Sequence, residues 1–258
     1  MIVASGILPG APLMALSTTV IVCAHNEERH LAACLHSLLA QTRLPDEVIV
    51  VDNASTDQTR DVATAVAGVR VVTEPRKGLT RAREAGRHAA SGDLLLYLDA
   101  DCRAPLPWVA RVTRRFERDP SLLAISGPYR FFDWDLAGRT LVRAYDVAVA
   151  PAVQVLVRHV FRVGCVFYGG NFAVRRQALA RIGGFDTRIA FHGEDTSLGR
   201  RLAAVGPVRL AYECWVHTSA RRYRALGRGY VFRLYVRNFA SELLRHRPRD
   251  EDYVDVRS

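Results

Sequence analysis

The chain has 258 residues, of which 49% are hydrophobic and 24% charged, and its formal net charge is +10. This balance is ordinary for a globular protein, and the length suits one large domain or one domain with an appendage. The five cysteines are widely spaced and form no C-x-x-C pair, which argues against a zinc site or a disulfide framework and favours a reducing cytoplasm.

The amino-terminal segment Met1–Ser17 carries no charged residue. It lacks the positive start of a signal peptide, and we interpret it as a loose leader. No run of about eighteen apolar residues follows, so no membrane-spanning helix is predicted. The nearest candidate, Val147–Val157, is short and contains Pro151.

Short β-branched runs alternate with helical segments in the first part of the chain. The predicted strands are Thr18–Cys23, Glu47–Val51, Val69–Val72 and Leu94–Leu98. The first helix, with Asn26 as its N-cap, buries Leu31, Cys34, Leu35, Leu38 and Leu39 on one face. Ser55–Gln58 matches a capping box that opens a second helix, and Thr80–Ala90 is a third. This order predicts β-α-β-α-β-α-β.

The second half is less regular. Its predicted elements are a helix Trp108–Glu117, a strand Leu122–Ser126, a long helical stretch Asp135–Val160 broken at Pro151, a strand Val166–Val174 interrupted by Gly169–Gly170, a helix Asp195–Val205, a strand Val208–Tyr212 and a basic helical tail Arg221–Arg247. The pattern predicts an α/β fold in which roughly the first hundred residues form a doubly wound half-domain with parallel strands. We divide the chain into a leader 1–17, a main domain 18–219 and a tail 220–258.

Acidic residues follow three of the apolar runs. Glu27 comes after the first, Asp52 after the second, and Asp99 and Asp101 after Leu94–Leu98. In such sheets ligands bind outside the carboxyl ends of the strands. Two carboxylates at i, i+2 can hold Mg²⁺ or Mn²⁺ together with phosphate, although they could instead cap the helix at Trp108. We predict a site for a metal and a ligand that the metal holds.

Asp52 and the basic residues after the third strand are open to two interpretations. Asp52 could accept hydrogen bonds from a nucleobase or ribose, or could be a turn residue beside Asn53. The basic cluster could neutralise a diphosphate or form a solvated face. Its members are Arg76, Lys77, Arg81 and Arg83.

Two acids and one histidine of the second half have the same ambiguity. Glu194 and Asp195 open a helix, where acids are ordinary, yet a carboxylate at that position that points into a crevice suits a general base. The sequence leaves this choice open. His217 is either structural or, as a neutral imidazole, a third metal ligand.

Seven motifs in this order make the chain similar to a known family. They are TVIVCAHNEE, VIVVDNASTD, GLTRARE, LLYLDADC, GGNFAVRR, GGFD and HGEDTSLGRRL, and they extend from roughly Ser17 to His217. The chain resembles the family-2 glycosyltransferases of the GT-A fold. The resemblance implies an α/β fold with a doubly wound, mixed and mostly parallel sheet and helices on both faces. The resemblance implies a nucleotide-diphospho-sugar transferase with a nucleotide-binding half at 18–103 and an acceptor half at 104–219.

The resemblance also implies a role for each matching residue. The implied donor residues are Ala24, Glu27, Asp52, Arg83 and Asp99, and the sugar and acceptor side is formed by Gly169, Gly170 and Asn171. The implied metal ligands are Asp99, Asp101 and His217. Asp195 would be the catalytic base, and Glu194 would hold acceptor hydroxyls. Glu84 departs from the family pattern, which has Asn after the arginine.

The implied reaction is an inverting transfer from the nucleotide-diphospho-sugar to an acceptor hydroxyl, with Mg²⁺ or Mn²⁺ as cofactor. The Gln-x-x-Arg-Trp element and the membrane helices of the processive synthases are missing from the sequence, so we expect one sugar per encounter. The expected acceptor is a saccharide or a lipid-linked molecule of cell-envelope, polysaccharide or glycolipid synthesis. The expected location is the cytoplasm, with a peripheral contact at the inner face of the plasma membrane as an accessory hypothesis.

Two other functions compete with this one. A sugar-phosphate nucleotidyltransferase also combines a doubly wound sheet with metal carboxylates, but usually has a Gly-rich loop where this chain has CAHNEE. A basic binding protein without catalysis would use Arg221–Arg247, which holds eight arginines and one acid, as an amphipathic helix on anionic lipid. No groove-reading motif occurs, so nucleic-acid binding is not expected.

Overall fold

The computed structural model describes residues 15–160, 165–189, 191–245, 254 and 256. The strands are β1 (Thr18–Ala24), β2 (Glu47–Asn53), β3 (Val69–Glu74), β4 (Leu94–Asp99), β5 (Ala124–Ser126), β6 (Tyr129–Phe131), β7 (Asn171–Arg175), β8 (Val208–Leu210) and β9 (Val216–Thr218). Most of the predicted leader, and the end of the predicted tail, lie outside the described residues.

The helices alternate with these strands. They are α1 (Leu31–Leu39), α2 (Thr59–Thr64), α3 (Leu79–Ala89), α4 (Trp108–Arg118), α5 (Leu136–Ala144), α6 (Ala150–His159), α7 (Arg176–Arg181), α8 (Glu194–Ala203), α9 (Arg221–Leu226) and α10 (Arg228–Arg245). A π-helical turn, Tyr145–Val149, joins α5 to α6, and a 3₁₀ turn, Tyr212–Cys214, precedes β9.

Seven strands form one sheet in the order β3-β2-β1-β4-β7-β5-β8. β7 is antiparallel to both neighbours, and the other pairings in the sheet are parallel. The order reverses beside β1, whose neighbours are β2 on one side and β4 on the other. At such a reversal the connecting helices leave on opposite faces and a crevice opens at the carboxyl ends of the strands. The predicted α/β fold class is confirmed.

Each face of the sheet carries its own apolar layer, because successive strand side chains point to opposite faces. On one face Val20 and Val22 pack with α1 and α4, where Trp108 is 1% exposed. On the other face Ile21 and Tyr97 pack with α3 and the β7 residue Phe172. Tyr97 stacks on Phe172 with 4.7 Å between ring centroids. These layers fix the strand ends that form the site.

Both predicted caps were wrong. Asn26 is not the N-cap of α1, which begins after His30 without a side-chain cap. Asn26 instead adopts a left-handed backbone, φ 53°, and its Oδ1 accepts a hydrogen bond from Thr56 N at 2.9 Å. The capping box before α2 does not form either, because Gln58 is the N-cap and makes no side-chain cap bond. The Asn26 side chain therefore connects two loops instead of capping a helix.

The sequence predicted a break at Pro151, but the helical segment continues through this residue. The π-helical turn leads directly into α6 with Pro151 in its first turn, where a missing N–H is tolerated. The helical segment Leu136–His159 is therefore 24 residues long, and among the described residues it is apolar enough, by length and composition alone, to cross a membrane. The predicted strand Val166–Val174 is also shorter, since β7 begins at Asn171.

Candidate active site

The ends of β1, β2 and β4 bring the predicted donor residues side by side. In the strand register Ala24 pairs with Asp52, and Cys23 pairs with Asp99. The Asp99 side chain is 43% exposed at the crevice. Asp52 is only 5% exposed and its Oδ1 accepts a hydrogen bond from Ser55 N at 3.4 Å. Asp99 is thus accessible to a ligand, while Asp52 is largely buried and stabilises the turn that follows β2.

The loop Gly169–Gly170 lies between the two predicted acidic groups. Gly170 O accepts a hydrogen bond from Asp99 N at 3.2 Å, and Gly170 N donates one to Tyr129 Oη at 2.7 Å. A Cβ at Gly170 would clash with Asp99 Oδ2, and a Cβ at Gly169 would lie 2.6 Å from Glu194 Oε1. Only glycine allows this approach, so the loop brings Asp99 and Glu194 close to two neighbouring residues, Gly170 and Gly169.

The Arg83 side chain contacts Glu194 and the glycine loop and lies close to Asp99. It is 2% exposed and forms an ion pair with Glu194, and its Nη2 donates to Gly169 O at 2.6 Å. Nη2 also lies 3.8 Å from Asp99 Oδ1. A planar guanidinium can satisfy several acceptors at once. The structure therefore places Arg83 inside the framework that orients the acids.

Asp195 occupies the first turn of α8, after Gly193 with a left-handed φ of 78°. Its Oδ1 accepts hydrogen bonds from Thr196 N at 2.7 Å and Thr196 Oγ1 at 3.3 Å. Burial raises the pKa of Asp195 above its ordinary value. Burial also raises the pKa of Glu194 to about 7, although Arg83 opposes the shift. A carboxylate with a raised pKa beside a crevice is suited to accept a proton near neutral pH.

Arg221 forms an ion-pair bridge that the sequence did not indicate. Its Nη1 donates to Glu27 Oε2 at 2.9 Å, and its Nη2 lies 3.1 Å from Asp101 Oδ2. Glu27 is 5% exposed and the Asp101 side chain 13%. The guanidinium thus holds a positive charge directly on a predicted metal ligand.

The backbone of His217 pairs with a residue that is close to Asp101 in the sequence. In β9 its N–H and C=O both bond to Arg103, two residues beyond Asp101, at 3.0 and 2.8 Å. Its Nδ1 is buried and has no hydrogen-bond partner in the described part of the chain. Burial lowers the pKa of His217, so the ring is neutral near neutral pH. A neutral imidazole with an unused nitrogen is chemically a metal donor.

The side chains of the predicted metal ligands, Asp99, Asp101 and His217, are of types that bind a divalent cation. Carboxylate oxygens and one imidazole nitrogen are ligands that Mn²⁺ accepts. Across residues 15–160, 165–189 and 191–245, however, no three acidic, His or Cys side chains already stand close enough to enclose an ion. At Asp101 one oxygen already contacts a positive charge, because Arg221 Nη2 lies 3.1 Å from Oδ2. A cation would therefore have to compete with the guanidinium.

Two further residues have clear structural partners. Asn171 is 1% exposed, and its amide accepts from Trp108 Nε1 at 3.1 Å and donates to Cys214 O at 2.8 Å. The Asn171 side chain, predicted on the acceptor side, is therefore buried and hydrogen-bonded within the core. Glu84, the departure from the family pattern, accepts from Phe185 N at 3.0 Å and so anchors the GGFD loop.

A cavity of about 360 Å³ opens next to the loop that follows β1. Its lining includes Glu27, Asp57 and Arg221, together with Asn26, Glu28, Arg29, His30, Arg224 and Val256. Ala24 lies at the strand end that leads into this loop. The predicted nucleoside side of the site thus has an adjoining space with both acidic and basic walls.

Comparisons with known proteins identify the family of the chain. Residues 19–183 match the family Glycosyl transferase family 2. An uncharacterised glycosyltransferase of Nostoc sp. is 35% identical over 91 residues, which are 33% of this chain and 28% of that protein. A glucosyl-dolichyl phosphate glucuronosyltransferase of Haloferax volcanii is 23% identical over 186 residues, 69% of this chain and 59% of that protein.

Solved structures agree on the fold. A mannosyltransferase of Pyrobaculum calidifontis in complex with GDP-Man and Mn²⁺ superposes with a TM-score of 0.68 at 23% identity, over 90% of this chain and 64% of that one. The sheet order and this superposition define a glycosyltransferase-type α/β fold of the GT-A class. The chain belongs to glycosyl transferase family 2. It spans 28% to 64% of the length of these three proteins.

Proposed function

We propose that the chain transfers a sugar from a nucleotide-diphospho-sugar to an acceptor hydroxyl, with inversion at the anomeric carbon. The observation that carries this proposal is that Asp99 and the Glu194–Asp195 pair approach neighbouring glycines of one loop, Asp99 at Gly170 and the pair at Gly169. A donor held at Asp99 and an acceptor deprotonated at Asp195 could then meet at this loop. Inversion needs such an attack from the face opposite the leaving group.

The donor side would use the carboxyl ends of the sheet. Asp99, Asp101 and His217 would hold Mn²⁺ or Mg²⁺, which would offset the negative charge that grows on the departing diphosphate. The binding of GDP-Man and Mn²⁺ by the Pyrobaculum mannosyltransferase supports this choice of donor and cation. Ala24, Glu27 and Asp52 would border the nucleoside, as the motif resemblance implies.

The acceptor side would depend on Asp195. As the acceptor oxygen forms its bond to the anomeric carbon, the bond from that carbon to the diphosphate breaks and the hydroxyl proton passes to an Asp195 oxygen. Glu194, fixed by Arg83, would hold a neighbouring acceptor hydroxyl. The pKa of Asp195, raised by burial, favours proton uptake. General-base catalysis of this kind contributes about 10²–10⁴-fold.

We further propose a saccharide or lipid-linked acceptor in cell-envelope, polysaccharide or glycolipid synthesis, with one sugar added per encounter. The name of the Haloferax relative, a transferase acting on a glucosyl-dolichyl phosphate, supports a lipid-linked acceptor. The five free cysteines suit the reducing cytoplasm. The positive charge of the tail alone gives membrane contact less support than the sequence suggested, since Arg221, Arg224 and Arg228 form ion pairs with acids of the same chain.

A thermal-shift panel tests the donor proposal. UDP-, GDP- and dTDP-sugars are each added with and without Mn²⁺, and one nucleotide class should raise the melting temperature only when Mn²⁺ is present. Binding to the native state stabilises it by mass action, about 2.7 kcal/mol at a hundred times the dissociation constant. If no sugar nucleotide shifts the transition under either condition, the transferase proposal fails.

Asp195→Asn tests the base with the identified donor. Turnover should fall about 10²–10⁴-fold while donor binding in the thermal-shift assay stays unchanged. In the wild-type protein the rate should rise with pH through the raised pKa of Asp195, because only the deprotonated carboxylate accepts a proton. The matched control is Asp61→Asn, an exposed first-turn acid of α2. Wild-type turnover in Asp195→Asn would falsify the assignment.

A further inference from the structure

The helical segment Leu136–His159 exposes a continuous apolar surface, which we call the apolar ridge. Its most apolar window has a mean hydropathy of 1.4, but only 11% of that window is buried. The exposed side chains of the ridge are Leu136, Leu141, Val147, Val149, Val155 and Leu156, each between 46% and 74% exposed. Exposed apolar surface of this extent marks a contact site for a protein or a membrane.

The opposite side of the segment is fixed to the domain. Ala150 and Val157 are 4% and 1% exposed, and Gly138 packs so closely that a Cβ there would lie 2.5 Å from Trp134. Gln154 Oε1 accepts a hydrogen bond from Val166 N at 3.0 Å. The helix is thus attached along one side, and its free side faces outward. Such a helix suits a membrane surface better than a membrane-spanning position.

The charges along the ridge are mainly positive. Arg139, Arg143 and Arg158 are exposed, and Arg139 and Arg143 are one turn apart on the same helix face. Asp146 is the one acid in the segment and is half-buried. Apolar side chains flanked by arginines are complementary to a bilayer with anionic headgroups.

The tail helix continues this surface. The ion pair between Arg228 and Asp135 joins the start of α10 to the start of α5. α10 exposes further large apolar side chains, Tyr230, Phe232, Tyr235 and Val236, between 43% and 62%. Aromatic rings of this type favour the interfacial zone of a bilayer.

We propose that the apolar ridge docks on an anionic phospholipid bilayer, with Leu136–His159 lying in the plane of the membrane surface. A second copy of the chain fits less well, because a two-fold contact through the ridge would bring its arginines together without matching acids. The attached side of the segment is joined through Gln154 and Val166 to the stretch that leads into the Gly169–Gly170 loop, so docking of the ridge would hold this part of the site near the bilayer surface. The proposal does not depend on the transfer chemistry.

Vesicle sedimentation with the full chain tests the docking. Vesicles of phosphatidylcholine with about one third phosphatidylglycerol should pellet the wild-type protein at low salt, and pure phosphatidylcholine should pellet much less. Leu141→Glu/Val155→Glu should lower the partition coefficient roughly a hundredfold, about tenfold for each apolar side chain kept out of the bilayer. Both positions are at least 60% exposed, so the fold should persist.

The matched control is Leu44→Glu/Leu106→Glu, which places the same charges at residues 60% and 57% exposed outside the ridge. It should bind as the wild type does. A Val147→Trp variant then separates insertion from adsorption, since acyl-chain brominated lipids should quench the added indole. The three native tryptophans, Trp108, Trp134 and Trp215, give the background signal, which the wild-type protein measures.

Four results would overturn the proposal. The first is no sedimentation with anionic vesicles at low salt, and the second is equal loss of binding in the control pair. The third is wild-type binding without quenching of the indole in Val147→Trp, which would mean adsorption by charge alone. The fourth is a change in the sedimentation velocity of the ridge variant without lipid, which would mean that the ridge is a contact between copies. None of these results bears on donor binding in the thermal-shift panel.

Discussion

Arg83 shows how one residue sets the chemistry of several others. Its buried guanidinium contacts Glu194 and lies near Asp99, so one positive charge is shared among neighbouring carboxylates. Burial and the neighbouring Asp195 together raise the pKa of Glu194 to about 7, because one arginine does not neutralise the whole group. Burial therefore makes Glu194 and Asp195 easier to protonate, although Arg83 opposes the shift of both pKa values.

The Arg221 bridge leads to a prediction about cation binding. Arg221→Gln removes the guanidinium that contacts Asp101 and leaves this carboxylate available. Mn²⁺ without nucleotide should then bind about tenfold more tightly, because the ion no longer competes with a fixed positive charge. Electron paramagnetic resonance of unbound Mn²⁺ during titration measures this affinity without any catalytic assay.

The control for this prediction is Arg224→Gln. Arg224 carries the same charge nearby and pairs with Asp133 at 2.9 Å, with 51% of its side chain exposed. Its removal should change Mn²⁺ affinity much less, since an exposed charge is screened by salt. Equal affinities in the Arg221 variant and the wild type would show that the bridge does not compete with the cation.

At the residue scale, the sequence indicated site residues that belong to a local pattern, but it did not indicate contacts between residues far apart in the chain. Asp99, Glu194 and Asp195 follow an apolar strand or open a helix, and these patterns are visible within a few residues. Arg221 was assigned to a basic tail, because its contact with Glu27 spans 194 positions of sequence. Nothing in a local pattern indicates which of eight tail arginines turns inward.

At the scale of elements, the Gly169–Gly170 loop determines how closely the two halves of the site approach. Gly170→Ala introduces a methyl group that would clash with Asp99 Oδ2 and lie 2.6 Å from Tyr129 Oη. Asp99 is partly exposed and can rotate away, so the protein should remain folded with a loss of about 1–3 kcal/mol. Binding of the Mn²⁺–nucleotide should fall at least tenfold, because Asp99 leaves its position.

Thermal unfolding and calorimetric titration with Mn²⁺ and the nucleotide measure the two parts of this prediction. Gly229→Ala is the control, since a Cβ at this position of α10 meets nothing within 4 Å. Alanine is the better helix former, so this variant should be as stable as the wild type or more so. Unchanged nucleotide affinity in Gly170→Ala would mean that Asp99 does not hold the donor.

The elements that the sequence predicted well are the long apolar ones. β1, β2 and β4 have buried side chains on both faces, which gives a continuous apolar run. β6 and β9 have only three residues each and pair with one another, so neither carries a readable pattern. The π-helical turn was missed because Pro151 usually ends a helix and nothing local indicates the compensating turn.

At the scale of the whole molecule, alternating strands and helices predicted the sheet but not the direction of β7. Its antiparallel course between β4 and β5 depends on how the chain returns from the segment Leu136–His159. The Gly169–Gly170 loop directly before β7 contacts both Asp99 of β4 and Glu194 of α8. The arrangement of the candidate active site thus depends on a long-range connection, which no motif in the sequence describes.

The pH dependence of stability combines opposing groups across the molecule. Hydrogen bonds from Arg76 and Ser17 lower the pKa of Glu74 and Asp93, so their stabilising contribution is present above the ordinary carboxyl range and is lost as pH falls. Burial lowers the pKa of His30, which also destabilises the protein on acidification. Glu194 has the opposite sign, because its raised pKa favours folding most when the group is protonated.

The contribution of Glu194 can be isolated by difference. Between its ordinary pKa of 4.5 and its folded value of about 7, the native state binds the proton that the unfolded chain releases, so stability falls as pH rises. Across this window the wild-type protein should lose about 1–3 kcal/mol relative to Glu194→Gln, which does not titrate. Urea unfolding of both proteins at several pH values from 5 to 8 gives this difference directly. Glu117→Gln, at an exposed ion pair with Arg43, should follow the wild-type curve. A difference between wild type and Glu194→Gln that stays constant with pH would mean that Arg83 keeps Glu194 ionised throughout.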